Sequence, residues 1–230
     1  MPVKTATSTR QSVRRGHDCI ANPVISGDFR YRALLGMDAW RALEPDVRRR
    51  FSKRLADGES AVYSGHIVDT TINRPGWLLA QLCRLIGSPL PLERGGCGKP
   101  AVVTVTEDRA GGQFWTRLYG RSQGFPQIVH SAKRFSGPTG LEEYIGFGLG
   151  IALDIRERNG ALIFLSQSYF IRLFGRRIGL PAFLSPGRLE VGHHDRGGGA
   201  FAFTLDLIHP LFGVLIRQTV EFHDTKETSQ

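Results

Sequence analysis

The sequence predicts an α+β, β-rich fold: a curved antiparallel sheet or barrel of about nine strands, with two or three N-terminal helices packed on it. Apolar and polar residues alternate through both arms of the segment 201–222, which is typical of a half-buried antiparallel pair. From about residue 60 onward, short apolar runs are separated by turn residues, and 28 glycines suit many turns. We expect residues 28–224 to form a single β-rich domain between a disordered basic tail at 1–27 and a disordered tail at 225–230.

Two predicted helical regions precede most of the strands. Apolar residues recur at spacings of three and four through residues 30–56, and Pro45, which suits a first helical turn, divides that region into two helices. Residues 75–86 are predicted to form another helix, with Pro75 in its first turn and Gly87 at its C-terminal end. We expect four large side chains of these helices to be buried against the sheet: Trp40, Phe51, Trp77 and Leu82.

The strands follow one another closely along the rest of the chain. They are predicted at 60–71, 101–107, 113–119, 127–134, 141–155, 161–174 and 188–194, and in both arms of 201–222. Gly146, Gly148, Gly150 and Ala152 share one face of the predicted strand 141–155. Either the helix 75–86 packs very close to that face, or the space beside it lines a cavity.

Composition and charge exclude several classes of protein. The formal net charge is +9 and belongs mainly to residues 1–58, but their basic cluster lacks exposed aromatic residues between the charges, so no nucleic-acid partner is predicted. Three cysteines without a C-x-x-C pair argue against a disulfide framework or a zinc site, and they favour reduced thiols in the cytoplasm. No apolar run reaches the ~20 residues of a membrane-spanning helix.

Two short motifs resemble fragments of catalytic or metal sites. Gly120–Gly124 matches the G-x-S-x-G pattern of serine hydrolases, but it links two strands, whereas that chemistry needs a strand-to-helix turn around Ser122. His193 and His194 are adjacent in a strand and point to opposite faces, so they cannot easily hold one ion, and we interpret them as a solvated strand end. The sequence therefore predicts no catalytic residue, no metal ligand and no cofactor.

The candidate ligand site is built on the strand 113–119. Trp115 and Arg117 share a face of this strand. That face is either an ordinary outer face, or the place where Arg117 forms a structural ion pair with Glu143, or a surface that binds an anionic or planar ligand. The candidate ligand-binding residues are Trp115, Arg117, Glu143, Gly148, Gly150 and Tyr169.

The turn at 209–213 is unusually apolar, because it presents Leu211 and Phe212 side by side. Either the N-terminal helices cover these side chains, or the turn touches a membrane surface or a partner at the rim of a ligand cavity. The basic helix 46–55 would add attraction for anionic lipid if it lies on the same side.

Several short motifs follow one another in a characteristic order. They are Leu34-Leu35-Gly36, Leu43-Glu44-Pro45-x-Val47-Arg48, Trp115-x-Arg117-x-Tyr119-Gly120, Glu143-x-x-Gly146, Gly179-Leu180-Pro181, Ser185-Pro186 and Pro210-Leu211-Phe212-Gly213. In this order the chain resembles the family catalogued as domain of unknown function 4166, from about residue 31 to residue 222. The resemblance implies that Arg117 and Glu143 lie on neighbouring strands, and we expect their side chains to face the same way.

The resemblance implies little chemistry, because the family has no assigned activity. Its members occur alone or attached to a dinucleotide-binding domain that resembles saccharopine dehydrogenases. These 230 residues contain no such domain, so no hydride chemistry is expected. Neither the pair Gly148 and Gly150 nor the pair His193 and His194 is a feature of the family.

The predicted function is a non-catalytic binding module for a lipid or other hydrophobic small molecule, held in a pocket of the curved sheet. One alternative is an enzyme or accessory subunit that acts with a separate dinucleotide-binding partner protein, and another is a protein-interaction domain with a filled core. An open cavity would favour the first function. An enclosed polar cluster around Glu143 and Arg117 would favour the second, and a filled barrel the third.

Overall fold

Ten antiparallel strands close into a barrel, and an eleventh strand pairs at its side. The computed structural model describes residues 27–55, 58–87 and 89–224, so the predicted tails at 1–27 and 225–230 lie outside it, apart from Gly27. The strands are β1 (Ser60–Ile72), β2 (Pro100–Glu107), β3 (Gln113–Tyr119), β4 (Gln127–Arg134), β5 (Glu142–Gly146), β6 (Leu149–Arg158), β7 (Ala161–Leu173), β8 (Arg176–Gly179), β9 (Arg188–Gly197), β10 (Ala200–His209) and β11 (Gly213–Asp224). The predicted fold class is confirmed.

The strand order explains how the barrel closes. Strands β1 to β6 pair in succession, β1 also pairs with β11, and β11, β10, β9 and β7 continue the sheet until β7 meets β6. Along each strand every second side chain points inward, so the alternation in the sequence fills the interior. The short strand β8 pairs with the end of β7 and was missed in the sequence, because its four residues are all exposed and show no alternation.

Three short helices cover one end of the barrel: α1 (Arg30–Leu35), α2 (Met37–Ala42) and α3 (Pro45–Phe51). Pro45 begins α3, and Trp40 and Phe51 are buried, as the sequence predicts. The Tyr31 hydroxyl of α1 donates a hydrogen bond of 2.7 Å to Gln113 Oε1 of β3 and ties the helices to the barrel. In the part of the chain that is described, no helix is both long enough and apolar enough to cross a membrane.

Helices α1–α3 cover one end of the barrel. This helix-covered end comprises residues 27–55, 58–59, 107–113, 134–142, 157–161, 195–200 and 224. Because antiparallel strands alternate in direction, the remaining connections meet at the opposite end, which we call the open end. The open end comprises residues 73–87, 89–99, 120–126, 146–148, 172–188 and 209–213.

The fourth helix, α4 (Arg74–Leu82), lies at the open end and packs on β11 through its smallest residues. Its buried positions are Gly76 and Ala80, and a Cβ atom at Gly76 would overlap the carbonyl group of Leu215. The prediction that Trp77 and Leu82 are buried is wrong, because they are 45% and 58% exposed. Apolar residues occupy most sides of this helix, and the side without bulk allows the closest approach of the two backbones.

The three glycines at 146, 148 and 150 do not share a face of one strand, contrary to the prediction. The chain reverses at Phe147 and Gly148, which have φ angles of 48° and 76°, so that β5 and β6 form a hairpin. Gly146 and Gly148 lie against backbone carbonyl groups, and Gly150 lies against the ring of Phe170. Close packing therefore explains the missing side chains. The short 3-10 helix Cys83–Ile86, which follows α4, contacts only Gly146 of these three glycines, through the carbonyl oxygen of Ile86.

The turn between β10 and β11 is exposed. Leu211 is 82% exposed and Phe212 is 55% exposed, and the N-terminal helices cannot cover them because those helices lie at the other end. For the same reason the basic residues of α3 are not beside this turn. Asn73 Nδ2, at the start of α4, donates a hydrogen bond of 3.1 Å to the carbonyl oxygen of Phe212 and holds the turn in place.

Candidate functional site

The barrel contains a cavity of about 130 Å³ in the half that faces the open end. Its walls are apolar, and they include Val103, Val129, Ile151, Phe164, Val191 and Val220. The segment 89–91 and Pro186 line its outer part. Gln127 holds that segment across the opening, because its side-chain amide donates to the Leu90 carbonyl oxygen at 2.7 Å and accepts from the Leu92 amide at 3.1 Å.

Three charged side chains meet at the polar side of this cavity. Lys133 Nζ of β4 lies 3.2 Å from Glu143 Oε2 of β5, and Arg117 Nη2 of β3 lies 3.7 Å from Glu143 Oε1. Arg117 also donates a hydrogen bond of 3.1 Å to Ser131 Oγ. The predicted common orientation of Arg117 and Glu143 is confirmed, but their strands are not neighbours, because β4 runs between them.

Lys133 is the member of this cluster that was not predicted from the sequence. Its ammonium group lies 4.8 Å from the centroid of the Trp115 ring and 5.1 Å from that of Phe164, at distances typical of cation–π contacts. Alternation in β4 could have located it, because Val129, Ser131 and Lys133 occupy every second position. A lysine in that row was not recognised because charged residues are rarely fully buried.

The cluster holds its carboxylate in the ionised form. Burial alone would raise the pKa of Glu143, but the charges of Lys133 and Arg117 outweigh burial and lower that pKa to about 2. Burial lowers the pKa of Lys133, whereas Glu143 opposes this shift. One carboxylate faces two cationic groups, so the cluster carries a net positive charge while Lys133 keeps its proton.

The candidate residues from the sequence fall into three groups. Arg117, Glu143 and Tyr169 line the cavity, and Trp115 lies beneath the charged cluster. Gly148 and Gly150 belong to the β5–β6 hairpin and are not among the residues that line the cavity. The Tyr169 hydroxyl donates a hydrogen bond of 2.9 Å to the Gly187 carbonyl oxygen, and burial raises the pKa of Tyr169 to about 12.

A second, smaller cavity of about 30 Å³ lies under α3. Among the described residues, Trp115 Nε1 and His193 Nδ1 are buried without a hydrogen-bond partner, and both side chains line this cavity. A volume of this size admits water, the usual partner of such groups. The interpretation of His193 as part of a solvated strand end is wrong, because it lies inside the barrel and stacks on Phe201 at 4.7 Å between ring centroids.

His193 makes the stability of the protein dependent on pH. Burial, together with the charge of Arg50, lowers the pKa of His193 to about 3. The unfolded chain binds a proton at this residue near pH 6.5, so the stability from neutral His193 is present above that pH and is lost as the pH falls towards 3. When the pH falls from neutral to about 5, this residue is expected to lower the free energy of unfolding by about 2 kcal/mol.

Urea unfolding at about pH 7.5 and pH 5 tests this expectation in the parent, His193→Phe and His193→Gln. Both variants remove the titrating group, and they differ in how they fill the space. In both variants, the difference in unfolding free energy between the two pH values should be about 2 kcal/mol smaller than in the parent. An unchanged pH dependence in both variants would contradict the assignment to His193.

The short motif Gly120–Gly124 links two strands, as the sequence predicts. Ser122 lies in the β3–β4 connection, where its amide donates to Glu93 Oε1 at 3.0 Å, and no helix follows it. Within the described ranges, no group of three or more His, Cys, Asp or Glu side chains is placed to hold a metal ion.

The charged cavity lies within a region that a family model matches. The model described as Domain of unknown function (DUF4166) matches residues 43–222, most of the chain. The chain belongs to this family. Arg117, Lys133 and Glu143 lie inside the matched range, so the cavity is part of the DUF4166 domain. No curated protein and no solved structure matches the chain.

Proposed function

We propose that this DUF4166 domain binds a small apolar molecule that carries an anionic group. The observation that carries the proposal is an apolar cavity whose polar side holds two cations and one carboxylate: Arg117, Lys133 and Glu143. An apolar body would gain from leaving water, and the excess positive charge would select an anionic group.

The volume of the cavity limits the part of the ligand that it can enclose. An apolar cavity of about 150 Å³ is large enough for benzene, whereas drug-sized ligands occupy pockets of about 300–1,000 Å³. The cavity of about 130 Å³ would therefore enclose a single ring or a short aliphatic segment. A longer tail would leave through the opening beside the segment 89–91.

Arg117 is the side chain best placed to meet the anionic group. Its guanidinium contacts Glu143 only at 3.7 Å, so it keeps donors for a second acceptor, whereas Lys133 lies closer to Glu143 and to the Trp115 ring. The planar guanidinium suits a carboxylate or a phosphate, because two of its donors can meet two oxygens at once.

The same geometry supports binding over a protein-interaction domain. A filled barrel was the expected sign of a protein-interaction domain, and this barrel contains a cavity. An enclosed charged cluster was the expected sign of an enzyme or accessory subunit, and Glu143, Arg117 and Lys133 form such a cluster, so this observation also fits that alternative. A general base works best with a pKa near the working pH, so the low pKa of Glu143, about 2, does not suit that one role.

Calorimetric titration with octanoate and with octanol tests the proposal, because these probes share a tail and differ in charge. Octanoate should bind the parent more tightly than octanol. Arg117→Met should weaken the binding of octanoate by about tenfold or more, as expected for a lost charge-assisted hydrogen bond. The same change should leave the affinity for octanol nearly unchanged. Native mass spectrometry of the purified protein would show directly any molecule that remains bound.

A matched pair of variants tests the place of binding. Val129 is buried and lines the cavity, and the preceding residue, Ile128, faces outward on the same strand. Val129→Phe should fill the cavity and abolish binding of both probes, whereas Ile128→Phe should not change it. If neither probe binds the parent and no small molecule is retained, the proposed function is wrong.

A further inference from the structure

Large apolar side chains are exposed on four of the five connections at the open end. We call this set the apolar ring: Phe125, Phe147, Phe174, Phe183, Leu211 and Phe212. All six are more than half exposed, and Phe174 and Phe125 reach 95% and 91%. Single exposed apolar residues are common on proteins, but large apolar side chains exposed on four of the five connections at one end are typical of a contact surface.

Two members of the ring occupy backbone positions that disfavour them. Phe147 and Phe174 have φ angles of 48° and 47°, and each precedes a glycine in a two-residue hairpin turn. Such turns favour Asn-Gly, because a bulky residue is strained at positive φ. At the helix-covered end the chain does use Asn159-Gly160 in the same kind of turn, with φ angles of 52° and 79°.

The charge of the open end complements an anionic surface. Among the described residues, the connections at this end carry nine Lys and Arg side chains and one acidic side chain, Glu93. The described segments of the helix-covered end carry twelve basic and eleven acidic side chains. Arg177 lies 3.2 Å from the carboxylate of Glu142, and the other basic side chains of the open end still outnumber its one acidic side chain by seven. Most of the net positive charge of the described residues therefore lies at the same end as the apolar ring.

We propose that the open end docks on an anionic lipid bilayer, with the apolar ring inserted among the headgroups and the surrounding arginines against lipid phosphates. Peripheral membrane binding generally needs both apolar insertion and electrostatic attraction, and this end supplies both. A second copy of the chain fits less well, because two strongly basic surfaces would repel each other. This inference stands independently of the proposed ligand, although the cavity opens among the same connections.

Sedimentation with vesicles tests the inference. The parent should pellet with vesicles of equimolar phosphatidylcholine and phosphatidylserine at low salt, and much less with phosphatidylcholine alone. Salt at about 1 M should release it by screening the attraction. Phe147→Asn/Phe174→Asn should reduce the fraction bound at a given lipid concentration by about tenfold or more, while its melting temperature should be equal to or above that of the parent.

Two further variants separate the contributions. Arg172→Gln/Arg176→Gln removes two charges beside Phe174 and should weaken binding to anionic vesicles by about thirtyfold. Phe29→Ser is the matched control, because Phe29 is 61% exposed at the helix-covered end, and it should bind like the parent. The inference is overturned if the parent does not pellet with anionic vesicles at low salt, or if it pellets by self-association without vesicles. It is also overturned if Phe147→Asn/Phe174→Asn binds the vesicles as well as the parent does.

Discussion

Replacing Glu143 by Gln is expected to lower the free energy of unfolding by about 3–5 kcal/mol, because the change leaves buried cations without their counter-charge. Glu143 and Lys133 are both buried, and their charged atoms lie 3.2 Å apart. Glutamine keeps the shape of the side chain, so the loss would reflect charge and not volume. Urea unfolding of the parent and the variant near neutral pH measures the difference.

Two comparisons make this prediction specific. The double variant Lys133→Met/Glu143→Gln removes the uncompensated charge together with its partner and should be more stable than Glu143→Gln alone. Glu190→Gln breaks a surface pair with Arg158, whose side chain is 52% exposed, and should cost less than about 1 kcal/mol. Losses of similar size for Glu143→Gln and Glu190→Gln would show that the cluster is solvated, contrary to its burial here.

The strands with regular alternation could be predicted from the sequence, and the predicted bounds of β2, β3 and β4 differ from the structure by at most one residue. Which face of β3 lies inside could not be predicted. The more apolar face, which includes Phe114, is outside, whereas Trp115 and Arg117 lie inside. The usual rule fails at this point because the interior holds charged side chains beside a cavity.

Local backbone geometry explains why the turn between β5 and β6 was not predicted from the sequence. The apolar run through 141–155 predicts one strand, because Phe147 continues the alternation. A phenylalanine in a turn at positive φ contradicts the local preferences on which such predictions depend. The burial of α4 was misjudged for a related reason, since Gly76 and Ala80 contact the sheet and bulk is the usual sign of a buried side.

The charged surface at the open end has no counterpart in the linear sequence. The formal charge of +9 is concentrated in residues 1–58 when it is counted along the chain. The barrel topology brings distant connections together at one end and places most acidic side chains of the described chain elsewhere. Charge clustering of this kind depends on strand order, which composition does not encode.

Phe201→Ala is expected to lower the free energy of unfolding by about 3–5 kcal/mol, because it removes a fully buried ring from a close-packed interior. The ring of Phe201 lies 4.7 Å from that of His193 and 5.1 Å from that of Tyr63, and the Arg50 guanidinium lies 4.3 Å above it. These contacts join α3 to β1, β9 and β10, so their loss should affect the helix-covered end and the barrel together.

Phe174→Ala provides the comparison within the same chain. This ring is 95% exposed, so its removal should change the free energy of unfolding by less than about 0.5 kcal/mol. Thermal and urea unfolding of both variants measure the contrast. A loss of several kcal/mol for Phe174→Ala would mean that the ring packs within the fold, and the apolar ring would then need no membrane to explain it. A large loss at Phe201 with none at Phe174 would instead show that the exposed phenylalanine does not serve stability, as the proposed membrane contact requires.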